Sequence, residues 1–143
     1  MSKNSNKRIF PRTTVDSIID LGGLIVLIKR KNPPFKDYWA IPGGFIELGE
    51  TVETAVIREA KEETGLDIII DKVFAIYSDP ERDPRGHTIS IVYICKNVSN
   101  IKEHLKADTD AKEVRIFNYI EVSNLILAFD HSKILNDYLN TKN

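Results

Sequence analysis

The chain reads as an α/β (α+β) domain in which helices flank a mixed β-sheet, and three features predict it. Strand-like apolar runs lie on both sides of one internal helical segment. A second helical segment closes the chain. No repeat, low-complexity tract or long linker divides the 143 residues, so one core is expected. The expected division is a flexible basic tail over residues 1–12 and a single domain over 13–143.

The elements follow in order. "MSKNSNKRIFPR" is basic, but it lacks the apolar core and small-residue cleavage site of a secretory signal. "TTVDSIID" alternates loosely and "LIVLIK" is a short β-branched run, so both read as strands. "RKNPPFKDY" carries two prolines among charges and reads as a surface loop. "WAIPGGFIE" is a short apolar strand interrupted by Pro42, Gly43 and Gly44. A helix is expected over 51–64, with Thr51 as N-cap, Glu53 in the first turn where the dipole favours an anion, and Gly65 as a left-handed C-cap. "LDIIIDKVFAIYSD" and "HTISIVYICK" are strands, separated by the Pro- and Gly-rich loop "DPERDPRG". A weaker strand runs through "EVRIFNY". The closing helix starts near Asp130, and its Ile134, Leu135 and Tyr138 share a face.

Composition excludes several function classes. With a formal net charge of −1, no global excess of either sign points to nucleic acid or a membrane surface. Apolar runs such as 24–28 fall far short of a membrane span. The single Cys95 excludes an intrachain disulfide and a cysteine metal cluster, and it is expected to be a small core hydrophobe. These features suggest a cytoplasmic setting.

The internal helix carries the chemistry. Val52, Ala55 and Val56 mark an inward stripe, and the same spacing continues onto Glu59, Glu62 and Glu63. Lys61 and Thr64 are left for the other side. Three like charges at this range repel, and they sit where the macrodipole favours cations. Most glutamates occupy a solvated face, but a cluster facing the protein must take up protons, destabilise the fold or bind a cation. Carboxylate oxygens suit Mg²⁺ or Mn²⁺. Arg58 adjoins Glu62 at i+4, the spacing of an ordinary surface ion pair.

From Gly44 the residues read "GFIELGETVETAVIREAKEETGL". This run resembles the signature of the Nudix hydrolases at every charged and glycine position; Ala60 stands where a bulkier aliphatic residue is usual, which predicts tighter helix packing. The resemblance implies an α/β/α sandwich around a mixed sheet. It implies that Glu59, Glu62 and Glu63 bind divalent metal against a diphosphate, with the backbone carbonyl near Gly44 joining them. It also implies that Arg58 and Glu50 form a structural ion pair. The implied reaction is hydrolysis of a nucleoside diphosphate linked to another group.

The loop "SDPERDPRGH" narrows the substrate. Pro, Asp and Gly make it an ordinary turn region, yet Arg82, Arg85 and His87 can place positive charge near a phosphate. Pro80 lies fifteen residues after Gly65, a spacing similar to that of Nudix enzymes acting on ADP-ribose. "SDPERDPRGHTIS", "WAIPGGFIELGE" and "LAFDHSKIL" look like the corresponding runs of bacterial and archaeal ADP-ribose pyrophosphatases. The expected substrate is therefore ADP-ribose, giving AMP and ribose 5-phosphate. Alternatives are an oxidised nucleoside triphosphate, a dinucleoside polyphosphate, or a catalytically silent ADP-ribose sensor. Regulators with a similar domain add a winged-helix segment, which is not expected here. The general base is one of the box glutamates or one of Glu103, Asp108, Asp110 and Glu113 in "EHLKADTDAKE". Trp39 and Phe129 are able to stack on adenine, although core packing is the expectation for both. His131 belongs to the first turn of the last helix. The resemblance also makes a homodimer an expectation.

Overall fold

The computed structural model describes residues 8–106 and 111–142. Among the described residues, seven strands and four helices follow one another as β1 (Arg12–Ile19), β2 (Leu24–Arg30), β3 (Trp39–Ala40), β4 (Gly43–Phe45), α1 (Val52–Thr64), β5 (Ile68–Tyr77), β6 (Thr88–Asn97), α2 (Ile101–His104), β7 (Ala111–Asn118), α3 (Tyr119–Asn124) and α4 (His131–Asn140). Among these, β4-β1-β6-β5 form a mixed sheet and β3-β2-β7 a second sheet. β1 and β6 are the one pair that runs parallel among the described strands.

β1 is central, and its last six residues are all buried. Its side chains alternate between two helix-covered faces, as the two-residue period requires. Val15 and Ile19 join the cluster of Ala55, Val56 and Ala60 beneath α1. Ile18 joins the cluster of Ile134, Leu135 and Tyr138 beneath α4. Ala60 has no exposed surface, consistent with the tight packing expected from its small side chain. Cys95 is buried in the α1 cluster, and burial pushes its thiol up to about 12.

A turn after β1 switches the chain between sheets. The Asp20 carboxylate accepts the Gly22 and Gly23 N–H groups, and both glycines take positive φ. Its other oxygen accepts the Tyr138 hydroxyl at 2.6 Å and the Tyr119 hydroxyl in a close contact. One carboxylate thus ties the hairpin to α3 and α4.

α1 forms as its caps predict. Thr51 accepts the Thr54 N–H, while Gly65 at φ 79° donates to the Lys61 carbonyl. Thr64, expected on the opposite face, is fully buried instead. The segment after α2 returns across the helix end, where Lys106 N–H donates to the Thr64 carbonyl at 2.8 Å. "WAIPGGFIE" is not one strand: Pro42 separates β3 from β4, which belong to different sheets. α2 and α3 were not expected, because four and six residues are too few to display a helical period.

Candidate active site

The β3–β4 crossing leaves a strap, residues 41–44, between the two sheets. It is held from three sides. The Ile41 N–H donates to His131 Nδ1 at 3.0 Å, the Pro42 carbonyl accepts Ser17 N–H and Oγ, and the Gly43 N–H donates to Glu63 Oε1 at 2.7 Å. Both glycines are needed for close approach. A Cβ on Gly43 would lie 2.2 Å from the Val15 carbonyl oxygen, and one on Gly44 would lie 2.7 Å from the Glu59 carboxylate.

The strap roofs a cleft of about 450 Å³. Its floor is acidic: Asp16, Glu59 and Glu63 line it and are almost fully buried. Arg58 supports these carboxylates from α1. It grips Glu50 through two hydrogen bonds of 2.6 and 2.9 Å, and its Nη1 reaches Glu59 at 2.8 Å and Glu62 at 3.2 Å. The Arg58 hydrogen bonds lower Glu50 to about 2, and Glu50 in turn pushes the guanidinium up. The expected pairs of Arg58 with Glu50 and with Glu62 are therefore both present, and Glu59 completes the fan.

Glu62 departs from the other two box glutamates. Its side chain is 41% exposed and does not line the cleft. Among the described residues, no three carboxylate, imidazole or thiol groups form a ready-made metal cage. The donor chemistry nevertheless fits a hard divalent ion: the Glu59 carboxylate lies beside Gly44, Glu63 accepts from the neighbouring Gly43 N–H inside the cleft, and Glu62 is on the same helix.

Two polar residues behind the strap, Asp16 and His131, have a place in the cleft that the sequence did not reveal. Asp16 accepts a close hydrogen bond from Ser90 Oγ, and burial raises its carboxyl to about 7. A charge inside an otherwise buried strand was the available signal. His131 opens α4 as expected, but it is buried and lines the cleft. Its Nδ1 accepts from Ile41, so the ring proton is assigned to Nε2, which lies 3.9 Å from Asp16. Burial lowers this imidazole to about 3 and keeps it neutral.

The loop between β5 and β6 contributes selectively. Arg82 lines the cleft but is held by Asp130 through two bonds of 2.8 and 2.7 Å, leaving its side chain 5% exposed. Arg85 also lines the cleft and pairs with Asp83 at 2.8 Å. His87 is exposed and contacts the Ser78 carbonyl at 3.0 Å; it borders a neighbouring hollow beside Phe10 and Pro11. Pro80 is exposed and lines neither space. Glu103, on α2, and Glu113, on β7 beside Arg115, also lie outside the cleft. Asp108 and Asp110 lie outside the described residues. Trp39 packs edge-on against Phe117 at 4.9 Å in the core, whereas Phe129 lines the cleft.

A family model described as the NUDIX domain matches residues 11–138. The chain is 52% identical over 136 residues to an ADP-ribose pyrophosphatase of Methanocaldococcus jannaschii, covering 94% of this chain and 77% of that protein. It is 34% identical over 131 residues to an ADPR responsive transcriptional repressor of Acinetobacter baylyi, covering 87% of this chain and 52% of the repressor. Among solved structures, it resembles a bifunctional NMN adenylyltransferase/ADP ribose pyrophosphatase from Francisella tularensis, complexed with AMP and Mn ion. That match has a TM-score of 0.81 and 31% identity, covering 97% of this chain and 44% of the other. The chain thus spans about half the length of the last two relatives.

Proposed function

The chain belongs to the Nudix family, and from that premise we propose that it hydrolyses ADP-ribose to AMP and ribose 5-phosphate with a divalent metal. The observation that carries this reading is the 52% identity to an ADP-ribose pyrophosphatase across nearly the whole chain. Glu59 and Glu63 on the cleft floor support it.

Glu59, Glu62 and Glu63, with the backbone at Gly44, would hold Mg²⁺ or Mn²⁺. When bound, such an ion neutralises diphosphate oxygens and lowers the pKa of an attacking water. The protein's own groups orient the site. Arg58 locks Glu50 and the preceding loop against α1, and Gly43 N–H fixes the Glu63 carboxylate. Arg82 and Arg85 line the cleft and would bring positive charge to a bound diphosphate, with His87 and Pro80 on the same loop. Of the two sets of candidate bases, the box glutamates are preferred, because Glu103 and Glu113 lie outside the cleft, while Asp108 and Asp110 fall outside the described residues.

Among the described residues no helix is long and apolar enough to cross a membrane, and a cytoplasmic setting is part of the proposal. So is a homodimer. The edge strand β5 exposes Ile69, Val73 and Ile76, a surface that a second copy would cover. Light scattering of the wild type and of Val73→Lys tests that point.

The deciding measurement is AMP release from a nucleotide panel with Mg²⁺. Turnover of ADP-ribose should exceed that of nucleoside triphosphates and dinucleoside polyphosphates; equal or lower rates reject the substrate assignment. The similarity to a repressor favours one second reading, a sensor that binds ADP-ribose without cleaving it. Tight binding with no AMP release would establish that reading.

A further inference from the structure

Arginines and aromatic rings alternate around the cleft mouth. Arg12 lies 3.8 Å from the Phe45 ring centre, Arg85 lies 4.9 Å from the centres of both Phe45 and Phe129, and Arg30 lies 4.9 Å from that of Phe129. Phe45, Phe129, Arg30 and Arg85 all line the cleft. The Arg85 guanidinium therefore touches both rings, and its Asp83 partner tethers it from the loop.

The backbone around these rings is unusual. Phe129 has φ 52° and Phe35, whose ring meets it at 4.8 Å, has φ 61°. Side chains larger than glycine rarely adopt this left-handed region, and such residues cluster at ligand clamps. Phe129 is only partly buried, at the edge of a small cluster of Ile28, Ala40, Ala111 and Ala128, and its ring faces the cleft.

We propose that Phe45 and Phe129 form the nucleobase subsite of the cleft, and that Arg85 is its resting occupant, displaced when nucleotide binds. This rests on the reading of the cleft as a nucleoside diphosphate site. A guanidinium and a nucleobase are both flat and both stack on aromatic faces, so one replaces the other without remodelling the rings. The exchange suits both partners: the base gains two π-faces, and the freed cation stands beside an incoming diphosphate. A purine, with the larger face, is favoured over a pyrimidine.

The test is calorimetric titration of the full chain with adenosine, uridine and AMP, beside steady-state kinetics on ADP-ribose. Adenosine carries the base without the phosphate. Phe45→Leu and Phe129→Leu should each weaken adenosine binding about tenfold. They should raise KM for ADP-ribose similarly, with kcat within about twofold. Arg85→Ala should tighten adenosine binding, because the slot no longer needs clearing, and weaken AMP binding, because a cation is lost. Adenosine should bind more tightly than uridine. If Phe129→Leu does not fold, Phe45→Leu and the exposed-site Arg85→Ala still decide. Normal ADP-ribose turnover with unchanged KM in the Phe variants overturns the slot and leaves the proposed activity standing. Ring-dependent adenosine binding by a protein that cannot cleave ADP-ribose does the reverse. Adenosine binding that is unchanged or weaker in Arg85→Ala overturns the occupant.

Discussion

The floor and the mouth of the cleft are built in different ways. Two of the floor carboxylates, Glu59 and Glu63, come from one helix, which also carries Arg58, and Glu50 directly precedes its N-cap Thr51; Asp16 alone joins the floor from β1. The mouth draws Arg30 from β2, Phe45 from β4, Arg82 and Arg85 from the β5–β6 loop, and Phe129 and Asp130 from the approach to α4. The floor gathers anions around one arginine; the mouth gathers cations around aromatic rings. Local spacing suffices for the first arrangement. The second exists only once distant segments meet, so its residues carry structural duties as well as chemical ones.

The largest expected effect tests that dual duty at the mouth. Arg82→Met leaves Asp130 poorly compensated and should destabilise the fold by about 3 kcal/mol, read as a shift in denaturant midpoint. A stable Arg82→Met protein that had lost only activity would place Arg82 with the substrate instead. Gly43→Ala should be comparably damaging, since its Cβ meets the Val15 backbone oxygen, which cannot swing aside.

At the floor the effects should fall on turnover. Glu63→Gln is expected to cut kcat by about a hundredfold or more while the melting temperature and AMP binding stay near wild type. Mg²⁺ should raise the melting temperature of the wild type, and the increment should shrink in this variant. Surviving turnover would remove Glu63 from the metal set. Gly44→Ala sharpens the contrast with its neighbour. Its Cβ meets only the movable end of Glu59, so it should lower kcat about tenfold with a stability change below about 1 kcal/mol.

The smallest expected effect is a pH slope where floor and mouth touch. Asp16 titrates near 7 when folded, held up by burial against Ser90 and Arg82 and helped by Asp130 and Glu59. Between about pH 4 and 7 the native state retains a proton that the unfolded chain has lost, so this group makes stability fall as pH rises. His131, lowered to about 3 by burial with Arg82 and Arg30 assisting and Asp130 and Asp83 opposing, acts the other way. Its stability contribution is present above about pH 6.5 and is lost as pH falls toward 3. The two slopes oppose each other in the wild type. Asp16→Asn should therefore steepen acid destabilisation between about pH 6.5 and 4, and His131→Asn should reverse it. Parallel profiles for the two variants would show that the groups do not titrate as described.

The sequence by itself determined α1 and its charged stripe, because helix period, caps and i+4 neighbours depend only on residues nearby. It also marked the main strands, the loop 79–86 and the buried face of α4, each through an uninterrupted local pattern. What it left open was long-range. Splitting "WAIPGGFIE" between two sheets follows from how Pro42 meets Ser17, and Thr64 is buried by a segment that returns some forty residues later. Arg82 is held by Asp130, 48 residues further on, a partner that no local pattern marks. Ser90 reaches Asp16 across 74 residues and Ile41 reaches His131 across 90. Such pairings leave no periodic trace, because they depend on strand order and on where loops cross. A local pattern can place a carboxylate on a helix, but only the tertiary structure decides whether that carboxylate meets a cation, a glycine backbone or a substrate.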